Sequence, residues 1–88
     1  MTPEARRDLG RRLGIARRHL AEADRLVEVG SANGRSRWRS VLADGSAVRM
    51  ERAATAALAG DDRREAGEAI ARFERAVARA RRDAEERR

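Results

Sequence analysis

Leu9, Leu13, Ala16, Leu20, Ala23 and Val27 recur at intervals of 4, 3, 4, 3 and 4 residues, and Ala66, Ile70, Phe73, Val77, Ala80 and Ala84 repeat the same intervals. This is heptad spacing, which lines apolar side chains along one face of an α-helix. A half-buried strand alternates every second residue instead, so both stretches read as helix. Large residues are interleaved with Ala in each seam. Such seams let backbones approach closely, and their packing depends on shape more than on bulk.

The punctuation around the seams agrees. Thr2-Pro3-Glu4 supplies an N-cap, a proline at the first helical position and an acid in the first turn, and Gly30 is a natural stop. The first helix is predicted over roughly 3–29. Asp62-Arg63-Arg64-Glu65 resembles a capping box with Asp at the cap, opening a helix over roughly 62–86. Arg64/Glu68, Glu68/Arg72 and Arg79/Asp83 stand at the i,i+4 spacing that supports it. Between the two, Ala47, Met50, Ala54, Ala57 and Leu58 share one side of a shorter helix over roughly 47–59. The expected fold is all-α, a helical hairpin or bundle forming one small domain over 1–88 with an irregular basic connector at 30–46. A competing reading takes Asp44-Gly45 as a two-residue type I′ turn and places a short β-hairpin at 37–50.

The apolar content is thin. Nineteen residues are Ala and only seventeen are larger hydrophobics, with Leu, Ile, Val and Phe making fourteen of 88. That share lies below the roughly 20% at which composition begins to suggest disorder, in a chain already short for burying its surface. With no Cys and a single His, neither a disulfide nor a structural zinc site reinforces the fold. Self-association or docking on a larger protein assembly is the expected remedy. The seam residues Leu9, Leu13, Ala16, Leu20, Ala23, Val27, Ile70, Phe73, Val77 and Ala80 are the surface it would use.

All 21 basic residues are Arg, and 15 acids leave a net charge of +6. The excess is uneven: residues 30–60 hold five Arg against two acids, whereas 61–88 hold nine against eight. Arg35, Arg37 and Arg39 alternate around Trp38. In an extended segment the three guanidinium groups fall on one face along about 13 Å, suited to successive phosphates. Trp38 turns to the other face, toward the helices, or stacks on a base. Arg35, Arg37, Arg39 and Trp38 are therefore the candidate nucleic-acid contacts, with little sequence reading.

The sequence offers little for catalysis. His19 has no second His or Cys to work with, and no Gly-rich phosphate loop follows a strand. No catalytic, metal or cofactor site is expected. The N-terminus lacks the apolar run of a secretory signal, no window approaches a membrane span, and the absence of Cys fits the cytoplasm. The reading is a non-catalytic basic binding protein that associates through its seams and meets nucleic-acid phosphates. Its alternative is a structural or adaptor protein with no nucleic-acid role.

Overall fold

A computed structural model describes residues 1–28 and 46–86. Three helices make up these residues: α1, Pro3–Glu28; α2, Ser46–Ala59; and α3, Arg63–Glu86. The all-α expectation is borne out, with boundaries within a residue or two of those read from the sequence. Residues 46–50 are helical, which rules out the hairpin arm that was to end at residue 50. The rest of that hairpin, and the connector around Arg35, Arg37, Trp38 and Arg39, lie outside the described residues.

Local chemistry fixes the helix starts. The Thr2 hydroxyl accepts the Ala5 N–H at 3.1 Å, and the Thr2 carbonyl accepts the Arg6 N–H at 3.0 Å. Pro3 follows where a missing N–H costs nothing. At α3 the Asp62 carboxylate accepts the Glu65 N–H at 3.1 Å, the cap half of the expected box. α2 closes with a tightened turn, in which Gly60 N–H donates to the Ala57 carbonyl at 3.1 Å. Only Gly60, Asp61 and Asp62 separate α2 from α3, and so short a connection makes the two an antiparallel pair.

The two long helices run in the same direction. The N-terminal ammonium donates to the Asp61 carbonyl at 2.9 Å, Arg12 meets Glu74 midway, and Ala23 and Val27 pack with Ala80 and Ala84 at the far end. α2 runs back between them: Arg6 reaches Leu58 at its end, while Arg17 reaches Glu51 nearer its start. At about 1.5 Å per residue α2 spans about 21 Å and α1 about 39 Å, so α2 covers little more than half of the pair.

The seams close on one another within the chain. Leu9, Leu13, Ala16, Ala54, Ala66, Ala69, Ile70, Phe73 and Val77 form the main core, flanked by the partly buried Met50, Ala57 and Leu58. Leu20, itself half-buried, touches this core and also the smaller cluster of Ala23, Val27, Ala80 and Ala84. Phe73, Ile70 and Val27 are the largest fully buried side chains.

Two glycines sit inside helices without a steric reason. A Cβ at Gly14 or at Gly67 would meet nothing within 4 Å, and no described glycine has positive φ. Gly in a helix interior costs about 0.8–1.0 kcal/mol relative to Ala. Gly14→Ala and Gly67→Ala are each expected to stabilise the protein by about 0.5–1 kcal/mol in urea titrations followed by circular dichroism. Phe73→Ala empties the centre of the core and is expected to cost about 3–5 kcal/mol, enough to abolish cooperative unfolding in a domain this small.

Candidate nucleic-acid interface

Two sets of arginines stand out among the described residues by what they touch. Arg6, Arg12 and Arg17 all reach across to other helices. Arg6 donates to the Leu58 carbonyl, to the Gly60 carbonyl at 3.0 Å and to the Asp61 carboxylate at 3.3 Å, so one guanidinium binds the open end of α2. That placement sets a cation on the carbonyls that a helix C-terminus leaves unpaired. Arg17 donates to Glu51 at 3.3 Å and to the Thr55 hydroxyl at 2.6 Å.

Arg12 grips Glu74 with two parallel bonds, Nε to Oε2 at 3.2 Å and Nη2 to Oε1 at 2.5 Å. The hydrogen bond to Glu74 holds its guanidinium above the ordinary arginine range, partial burial pulls it down, and the Glu74 charge adds to the rise. These three arginines tie α1 to α2 and α3.

The second set lies on the outward face of α3. Arg72, Arg75, Arg79 and Arg82 are exposed and spaced 3, 4 and 3 residues apart, opposite the core line of Ala66, Ile70, Phe73, Val77 and Ala84. Ten residues of helix carry them over about 15 Å. None of the four makes an ion pair with a described residue. Glu68, which the sequence also offered to Arg72, is taken by Arg64 at 3.2 Å. Glu74, the one acid between Ala69 and Arg82, is held by Arg12 on another side of the helix. Arg75, Arg79 and Arg82 surround Ala78 in an open basin of about 260 Å³, where the small side chain leaves room for an anion among three guanidinium groups.

This stripe is not apparent in the count of nine Arg against eight acids for residues 61–88. The signal was positional: seven of those acids stand at or before residue 68 or at or after residue 83, which leaves residues 69–82 with five Arg and one acid. The sequence-selected contacts Arg35, Arg37, Arg39 and Trp38 lie outside the described residues. Of the ten seam residues, nine are buried and Leu20 is half-buried, all facing the chain's own interior. His19 is half-buried at the edge of a groove between α1 and α3. Among the described residues no polar side chain is buried, and no group of three His, Asp or Glu side chains is placed to hold a metal ion. No described helix is long and apolar enough to cross a membrane. Comparisons with protein families, curated proteins and solved structures return no match.

A raised cation pKa adds stability that is complete below the ordinary value and is lost only as pH climbs through the raised one. The Arg12–Glu74 pair is half-exposed, which keeps its worth below about 1 kcal/mol. Arg12→Gln is therefore expected to lower stability by less than about 1 kcal/mol, and by the same amount at neutral and moderately alkaline pH. Urea titrations of both proteins across that range check it.

Proposed function

We propose that this chain is a non-catalytic, cytoplasmic binding protein that grips nucleic-acid phosphates through exposed arginines with little reading of base sequence. The observation that carries the reading is the stripe of Arg72, Arg75, Arg79 and Arg82, exposed and without an acid partner among the described residues. Four guanidinium groups over about 15 Å face about four phosphates of a nucleic-acid strand, which presents about one per 3.4 Å of duplex axis. Arg forks bind phosphate with two parallel hydrogen bonds and keep their charge at any physiological pH.

Arg35, Arg37 and Arg39 extend the reading. The connector that carries them leaves α1 at residue 28, the end where Val27 packs with Ala80 and Ala84 close to Arg82. A second run of three arginines in the chain adds cations for a backbone contact longer than the α3 stripe alone. Net charge of +6 adds long-range attraction to a polyanion.

Fluorescence anisotropy of a labelled generic duplex tests this at roughly 50 and 200 mM salt. Binding is expected to weaken steeply with salt. Replacing Arg72, Arg75, Arg79 and Arg82 together by Gln is expected to reduce the log–log slope by about three to four, and the Arg35/Arg37/Arg39→Gln variant by about three. Absence of binding at the lower salt would overturn the proposal and turn the search toward a protein partner.

A further inference from the structure

α1 has three long sides. One holds the core line, and one lies against α2, where Arg6 and Arg17 bond and Gly10 faces Leu58. The third borders the groove between α1 and α3, where His19 is half-buried, and carries Ile15, His19, Glu22 and Leu26. Ile15 and Leu26, at 39% and 36% exposure, are the exposed large hydrophobics of the described residues. His19 and Glu22 make no ion pair or side-chain hydrogen bond with a described residue. The four stand at intervals of 4, 3 and 4, a single helical line about 17 Å long.

That line is complementary to its own reverse. The spacing 4-3-4 is symmetric, its ends are both aliphatic, and its middle pair is a histidine and a carboxylate. Turned by a two-fold axis passing between residues 19 and 22, a second α1 brings its Leu26 opposite Ile15 and its Glu22 opposite His19. The other half of the contact repeats both pairs. Isologous interfaces have this property, since each patch must complement its own image. A histidine N–H donates to a carboxylate across the seam, and neither group loses an existing partner to do so.

The neighbouring groove fits the same occupant. Ile15, Ala16, His19, Glu74, Val77, Ala78 and Arg81 line an open cavity of about 190 Å³. Small-molecule sites run to about 300–1,000 Å³, so this space suits an incoming side chain better than a free ligand. On its α3 wall Glu74 is already bound to Arg12, and Arg81 stands at the rim.

We propose that the Ile15–His19–Glu22–Leu26 line of α1 is a self-complementary seam on which a second copy of this chain docks antiparallel. The seam is separate from the buried heptad positions and independent of any nucleic-acid role. Its short length sets a weak dimer, below the ~1,200 Å² of buried surface usual in stable complexes, one that dilutes apart.

Sedimentation equilibrium between about 1 μM and 1 mM tests the proposal. Wild type is expected to show a monomer–dimer equilibrium. His19→Glu sets a glutamate against Glu22 of the second copy, and Glu22→Arg sets an arginine against its His19. Because the two-fold repeats each contact, either change is expected to weaken the dimer about tenfold. The double variant His19→Glu/Glu22→Arg restores opposite charges and should return to within about threefold of wild type. Leu26→Ala should weaken the dimer without lowering helical content, since Leu26 already faces solvent. A chain that stays monomeric throughout, or a dimer indifferent to both single changes, overturns the proposal. Failure of the double variant to recover does the same.

Discussion

Everything in this fold depends on how closely the helices approach. Seventeen hydrophobic residues larger than Ala cannot fill a wide interior, so contact must come from small side chains that let helix backbones draw together. Ala54, Ala66 and Ala84 are completely buried, and Phe73 is the one aromatic ring among the described residues, sealed at their centre. Short apolar side chains contribute little hydrophobic area, but at close range they recover dispersion contacts along the backbone. The arrangement is intolerant in one respect: at a fully buried Ala, even one added methyl would have to push two helices apart.

Close approach also explains where the arginines go. A core without polar side chains leaves helix ends and helix flanks as the places where charge can tie elements together. Arg6 bonds the end of α2, Arg12 joins α1 to α3 through Glu74, and Arg17 joins α1 to α2 through Glu51 and Thr55. Each is partly exposed, so these contacts orient the helices more than they stabilise them. Among the arginines those acids do not engage, Arg72, Arg75, Arg79 and Arg82 line up on the outward face of α3 with no acid partner among the described residues. The phosphate-binding reading rests on that partition of charge, not on the net excess.

Helix positions were legible because a 3.6-residue period and two caps leave few alternatives. Thr2-Pro3-Glu4 and Asp62–Glu65 located two starts, and the Ala-rich side of α2 located the third helix. The direction of packing was not legible, because a heptad seam has the same spacing read either way. The Gly60–Asp62 turn makes α2 and α3 antiparallel, and the bonds from Met1 and Arg6 to residues 58–61 then align α1 with α3. Nor does a seam state whether its occupant is the same chain or another; here nine of ten positions are filled from within. The α3 stripe does not show in a charge total, which averages over a segment whose acids stand mostly at its two ends.

The two proposed surfaces meet at one residue. Ala78 floors the basin among Arg75, Arg79 and Arg82 and also edges the groove beside Ile15 and His19. A second copy on the α1 seam would therefore lie beside the arginine stripe without covering its outward guanidinium groups. Two-fold symmetry would then carry two such stripes on one particle, running in opposite directions as the strands of a duplex do. Joining two weak phosphate contacts in this way raises the effective concentration of the second once the first is made. Nucleic acid would in turn favour the dimer by the same factor, since the linkage between the two events is reciprocal. If both proposals hold, a seam that forms without nucleic acid only at high concentration would be strengthened at low concentration by a bridging polyanion.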